Sequence, residues 1–188
     1  HDKTQVFPMP ESDLVHSRLT HSLEVSCVGR SLGIMVGQRI MDRHPELGEE
    51  GINERSIGDI VAAACLAHAL GNPPFGHAGE DAIGSWFRKY FDGPGADLGL
   101  TPEQQADFTR FEGNAQGFRI LTRLQMPEKP GLQLTLATLA AFSKYPRASG
   151  PKASGVAFKK FGFFREDEAT FREVAEGVGL IEAPLEPP

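Results

Sequence analysis

The chain has 188 residues, 40% hydrophobic and 23% charged, which are the proportions of a globular protein with one sizeable core. Its net charge of −6 gives no general attraction to nucleic acid, so an anionic ligand would need a local basic patch. No apolar run reaches the ~20 residues of a membrane span and no secretory signal is visible, so no membrane is implied and the expected compartment is the cytoplasm.

Residues 1–17 are rich in turn formers, including Pro8 and Pro10. From Arg18 a helical pattern begins, capped by Ser17 or Thr20, with His21, Val25, Val28, Leu32 and Val36 on one apolar face. His44-Pro45-Glu-Leu-Gly-Glu-Glu-Gly reads as a loop. A second helix is expected over residues 56–70, placing Ile57, Val61, Ala64 and His68 on its buried stripe, with Gly71 closing it. A third starts near Gly79, with Ile83, Trp86, Phe87 and Tyr90 as core contacts.

Residues 92–102 form a loop, 103–125 read as helix, and 132–142 as another helix ended by Lys144-Tyr145-Pro146. Residues 147–157 are rich in Gly, Ser, Lys and Pro and are expected to be mobile. Residues 165–178 form a last amphipathic helix with Phe171, Val174 and Val178 inward. No strand pattern competes, so the fold class is all-α. Cys27 and Cys65 lie inside apolar helical patterns and are expected as small buried hydrophobes in a reducing compartment. The opening His1-Asp2-Lys3 has no initiator Met, and Pro188 follows no closing helix. Both ends are expected to be cut edges, making residues 1–188 the N-terminal portion of one helical domain.

The chemistry concentrates in Leu66-Ala-His-Ala-Leu-Gly-Asn-Pro-Pro-Phe-Gly-His-Ala-Gly-Glu80. His21 and His68 sit on apolar stripes of separate helices; they read either as structural core imidazoles or as nitrogen ligands for a divalent transition metal. His77 and Glu80, spaced i and i+3, share one face of a helix start, where the imidazole suits proton transfer near neutral pH and the carboxylate can fix its tautomer. The competing role for Glu80 is a favourable first-turn charge. Lys144, Arg147, Lys152, Lys159 and Lys160 gather basic charge in one region, as a polyphosphate site or as solvated surface. Arg18 stands one turn before His21 and points near the same place.

With these residues assembled, the chain resembles the dGTPase-like deoxynucleoside triphosphate triphosphohydrolases of the HD superfamily along almost its whole length. The segments that carry this are Lys3-Thr-Gln-Val-Phe7, Arg18-Leu-Thr-His-Ser-Leu-Glu24, His68 to Glu80, and Phe111-Glu-Gly-Asn-Ala-Gln116. Leu139-Ala-Ala-Phe-Ser-Lys-Tyr-Pro146 and Lys159-Lys-Phe-Gly-Phe163 add support. The resemblance implies an HD-domain helical bundle, a homo-oligomer, and hydrolysis of a dNTP, dGTP first, to deoxynucleoside and inorganic triphosphate with Mn²⁺ or Mg²⁺. It further implies His21 and His68 as metal ligands, and His77 with Glu80 as the acid–base pair. Gln5 would read the sugar 3′-hydroxyl, and Arg18, Lys144 and Tyr145 would lie near phosphates or sugar. Glu112 would be a further site residue.

One departure matters most. The family has His-Asp where this chain has His68-Ala69, and that aspartate is a metal ligand. A further aspartate ligand belongs to a helix beyond Pro188. Loss of carboxylates should weaken Mg²⁺ most, since it requires oxygen donors. The expected form is therefore a disabled enzyme, whether by a substitution made to trap substrate or by natural decay. The alternative is a non-catalytic dNTP-binding regulatory module.

Overall fold

The computed structural model describes residues 17–126, 128, 130–150 and 160–181. Among them the secondary structure is helical, with an isolated parallel bridge between Ala148 and Phe163 and no named strand. The all-α expectation holds. No described helix is long and apolar enough to cross a membrane. The chain divides into two compact units: residues 1–69 with 137–142, and residues 70–136 with 143–188.

The first unit is built on α1 (Arg18–Arg43) and α3 (Glu54–Ala67), joined through the short α2 (Glu46–Glu49), and includes most of α7 (Leu136–Phe142). Ser17 caps α1 by accepting the Thr20 N–H at 3.2 Å, and Asn53 caps α3 in a capping box with Ser56. The two helices run antiparallel along a seam of small residues. Cβ atoms placed on Gly29, Gly33 and Gly37 would meet Cys65, Gly58 and Glu54, the Gly33 atom lying 2.9 Å from the Gly58 Cα. Ser26 reinforces the seam by donating to the Ala62 carbonyl at 2.9 Å.

This seam corrects the predicted inward face of α1. Val28, Leu32 and Val36 are exposed, at 61%, 56% and 54%, because glycines allow closer backbone approach than any side chain does and so take the contact. Cys27 is exposed for the same reason, and Cys65 is half-buried beside Gly29.

The second unit holds α4 (His77–Phe91), α5 (Pro102–Thr109), α6 (Gly113–Arg119) continuing into a π turn (Ile120–Leu124), a 3₁₀ turn (Arg165–Asp167) and α8 (Glu168–Gly177). Its core is aromatic: Phe118 packs on Phe171, and Phe163 stacks on Phe171 with centroids 4.1 Å apart. Phe171 and Val174 are buried as expected. Asp167, fully buried, accepts from Arg119 Nε at 2.9 Å and from Arg123 Nη1 at 3.3 Å, tying the 3₁₀ turn to α6 and its π extension.

Three expectations fail locally, besides the loop expected over residues 44–51, where Glu46–Glu49 form α2. Trp86 is not core but exposed, stacked on Tyr90 one turn away, because the inward face of α4 passes through Gly84 and Phe91. The single helix expected over 103–125 breaks at Phe111 and Glu112, where the backbone turns extended to let Glu112 cap α6. The helix expected from residue 132 begins at Leu136. The expectation for residues 147–157 falls mostly on 151–159, outside the described residues.

Candidate active site

The turn between His68 and His77 is shaped by backbone demands that few sequences meet. Gly71 adopts φ of 86°, and a Cβ there would lie 2.2 Å from the Gly117 amide nitrogen, so the turn rests directly on the α6 backbone. Pro73 and Pro74 follow, then Phe75 and Gly76 at positive φ, and α4 starts at His77.

This start places His77 and Glu80 on one face, as their spacing predicts. His77 Nδ1 lies 2.7 Å from Glu80 Oε2. The other carboxylate oxygen, Oε1, accepts the Gly113 backbone N–H at 2.8 Å. Because an ionised carboxylate only accepts, the proton of a neutral His77 sits on Nδ1 and its Nε2 is left to act outward. The His77 side chain is 80% exposed while that of Glu80 is 12% exposed, which is the arrangement of a reactive imidazole held from behind by a sheltered carboxylate.

Gly113 makes this possible. A Cβ at that position would lie 2.5 Å from Asn72 Oδ1 and 3.0 Å from Glu80 Oε1. The break that ends the predicted helix at Glu112 is therefore what delivers the Gly113 N–H to Glu80. Glu112, 5% exposed, caps α6 and accepts from the Asn114 side chain at 2.6 Å. Lys160 Nζ lies 3.1 Å from Glu112 and 3.8 Å from Glu80 Oε2. These groups face a cleft of about 320 Å³ that Arg88 and Arg110 also line. The guanidiniums of Arg88 and Arg110 are anchored on the carbonyls of Thr109 and Gly150.

In the first unit, His21 and His68 meet edge to face with ring centroids 5.2 Å apart. His68 follows the last residue of α3, and its Nδ1 is 2.7 Å from the Cys65 carbonyl. A carbonyl oxygen only accepts, so Nδ1 carries the proton and Nε2 is the open nitrogen, the usual orientation of an imidazole metal ligand. Ala69 contributes no donor. Among the described residues no group of three or more His, Cys, Asp or Glu side chains is arranged to hold a metal. Two imidazoles without a carboxylate do not make a site for a hard divalent ion.

The remaining expected residues fall as follows. Arg18 opens α1, one turn before His21. Lys144 and Tyr145 follow α7, with Lys144 Nζ 5.4 Å from the Tyr145 ring centroid, and neither lines the cleft of His77. Gln5 lies outside the described residues. Gly113 was not assigned a role by sequence reasoning, and Lys160 only as one of a basic group, a polyphosphate site or solvated surface, without its partners Glu80 and Glu112. The available signals were an acid immediately followed by glycine, Glu112-Gly113, and a lysine pair before Phe161.

No family model matches the chain. It is similar to a Synechocystis sp. protein named deoxyguanosinetriphosphate triphosphohydrolase-like protein, with 56% identity covering 96% of this chain and 42% of the relative. A protein of the same name from Pseudomonas aeruginosa is 44% identical over 95% of this chain and 40% of its own length. A deoxyguanosinetriphosphate triphosphohydrolase from Klebsiella pneumoniae is 36% identical over 88% of this chain and 38% of its own. The chain thus spans about two fifths of the length of these curated relatives.

Proposed function

The chain belongs to the deoxyguanosinetriphosphate triphosphohydrolase-like family, and from that premise we propose that the whole protein is built to hydrolyse a dNTP, dGTP first, to deoxynucleoside and inorganic triphosphate. Ala69 leaves this form impaired. The observation that carries the reading is the His77–Glu80 pair, with Nδ1 held at 2.7 Å and the opposite ring nitrogen facing an open cleft.

The bond broken is between the α-phosphorus and the deoxynucleoside 5′-oxygen. His77 Nε2 supplies or removes the proton that this exchange of water for alkoxide requires, and Glu80 steadies the imidazolium when it forms. Arg88, Arg110 and Lys160 line the same cleft as Glu80, Asp81 and Glu112, and are the cations there that would meet a polyphosphate in an otherwise acidic protein. Arg18, Lys144 and Tyr145 are proposed to contact phosphates or sugar, and Gln5 the 3′-hydroxyl. A divalent ion, Mn²⁺ or Mg²⁺, would polarise the α-phosphate. His21 and His68 would hold it together with an aspartate restored at position 69. The exposed Val28, Leu32 and Met35 on α1 support a homo-oligomer, and the proposed setting is the cytoplasm.

Ala69 also favours a second reading, a regulatory module that binds a dNTP without turning it over. Assay of triphosphate release by the full-length protein carrying Ala69→Asp separates the two. Turnover supports the hydrolase, and dNTP binding without turnover supports the module.

A further inference from the structure

The segment Phe111-Glu-Gly-Asn-Ala-Gln116 is only half accounted for by the His77 cleft. Glu112 and Gly113 serve that cleft, through the α6 cap and the bond to Glu80. Gln116, further along α6, lines a different cavity of about 490 Å³ within the second unit. Phe111 lines both. A volume of this size falls within the range of about 300–1,000 Å³ typical of small-molecule sites.

The wall of this cavity is aromatic and its charges are balanced. Phe87 and Phe108 meet on one part of it with centroids 4.9 Å apart, and Phe111 and Phe164 on another at 6.3 Å. Ring surface of this kind favours a flat π-system. Arg119 is committed to Asp167 through Nε and Nη2, at 2.9 and 3.2 Å. Asp107 accepts from the Ser149 hydroxyl and from the Arg165 backbone N–H. Gln104 Oε1 accepts the Thr101 N–H at 2.9 Å. The Glu166 side chain is largely exposed. An anion entering this space would meet Asp107 and Glu166, and a cation would meet Arg119, so an uncharged ligand is the one that loses least.

Gln116 is the exception among these polar groups. Its backbone N–H donates to the Glu112 carbonyl at 3.1 Å, but among the described residues its carboxamide makes no hydrogen bond. A carboxamide presents a C=O acceptor beside an N–H donor. Its two-point complement is another amide edge, an N–H beside a C=O.

We propose that this cavity is a binding site for an uncharged, flat nitrogen heterocycle with a lactam edge, held by the phenylalanine rings and paired through its N–H and C=O with the Gln116 carboxamide. Oxopurines and pyrimidinones belong to this class, free or carried on a sugar phosphate. The inference does not depend on the hydrolase reading, since neither His77 nor Glu80 takes part in it.

The test is calorimetric titration of the full-length protein with 2-quinolone and with quinoline, which has the same fused rings but no lactam. 2-Quinolone should bind about tenfold more tightly, the effect of two neutral hydrogen bonds. Gln116→Leu should reduce that preference to within about threefold, because the ring contacts stay and the edge pairing goes. Hypoxanthine and inosine 5′-monophosphate separate a free ring from one carried on a sugar phosphate. Hypoxanthine should bind at least as tightly, because the wall offers a phosphate no uncommitted cation.

Equal affinity for 2-quinolone and quinoline overturns the proposal, as does a preference that survives Gln116→Leu. Absence of 2-quinolone binding up to its solubility limit overturns it as well. A preference for the monophosphate that Gln116→Leu abolishes overturns the uncharged class. If Gln116→Leu does not fold, Gln116→Met, closer in shape, is read the same way. Where neither folds, the comparison of 2-quinolone with quinoline on the native protein decides.

Discussion

The imidazoles of His21 and His68 face each other with centroids 5.2 Å apart, presented by two antiparallel helices whose backbones touch through glycine. The seam and the histidine pair are one construction: α1 and α3 approach closely enough to pair the rings because Gly29, Gly33 and Gly37 carry no side chains. Gly33→Ala would place a methyl 2.9 Å from the Gly58 Cα, a contact against backbone that cannot swing aside. The expected loss is about 1–3 kcal/mol, as for overpacking elsewhere. Urea unfolding of the two proteins measures it; equal midpoints would mean that the helices separate at no cost.

The proton-transfer pair gives a kinetic prediction. In a full-length protein with Ala69→Asp, His77→Ala should reduce kcat by about 10²–10⁴-fold, the usual contribution of a positioned acid or base. Glu80→Gln should fall in between, because an amide oxygen still accepts from Nδ1 but carries no charge to stabilise an imidazolium. Retention of full activity by His77→Ala would assign the proton transfer to another group.

How much of this was legible in the sequence differs between the two histidine pairs. His77 and Glu80 follow one another within a turn of helix, so i, i+3 spacing alone put them together, and their 2.7 Å contact agrees. Periodicity also gave the longer helices, and the capped start at Ser17 marked the first of them. It misjudged the buried face of α1, since hydrophobic counting scores a glycine as nothing when here close backbone approach is the contact. It ran α5 and α6 together, because the break at Glu112 serves a long-range bond from Gly113 to Glu80 that no local window contains. The pairing of Lys160 with Glu112 and Glu80 was not legible for the same reason: these partners are 48 and 80 residues away in sequence.

Asp167 carries a stability prediction for the second unit. It has no exposure and accepts from two guanidiniums. Asp167→Ala would remove the carboxylate that Arg119 and Arg123 share, while Arg119 keeps its place 5.1 Å over the Phe164 ring. Because the two arginine side chains are 27% and 45% exposed, the loss is about 1–3 kcal/mol, below that of breaking a fully buried pair. Chemical denaturation should show that loss, and a change under 1 kcal/mol would mean that the arginines rehydrate freely.

Asp107 predicts a pH dependence. Burial raises its carboxyl above the ordinary value of 3.8, although a hydrogen bond from the Ser149 hydroxyl and another from the Arg165 backbone N–H act against the rise. The folded chain therefore binds this proton more tightly than the unfolded chain does. Between the raised folded value and 3.8, stability falls as pH rises, and above that window the cost is fully present. Compared with Asp107→Asn, the native chain should gain relative stability on acidification through the window. Unfolding midpoints of both proteins across pH 4–7 test the sign, and a gap that moves the other way would contradict it.

Triphosphate release from each of the four dNTPs with Mn²⁺ tests the central claim most directly, comparing full-length protein bearing Ala69 with its Ala69→Asp counterpart. Release from the Ala69→Asp protein alone is the predicted result, and would locate the defect at one missing metal ligand while giving the base preference. Silence from both, in proteins that melt cooperatively, would contradict the hydrolase assignment and leave a dNTP-binding module in its place.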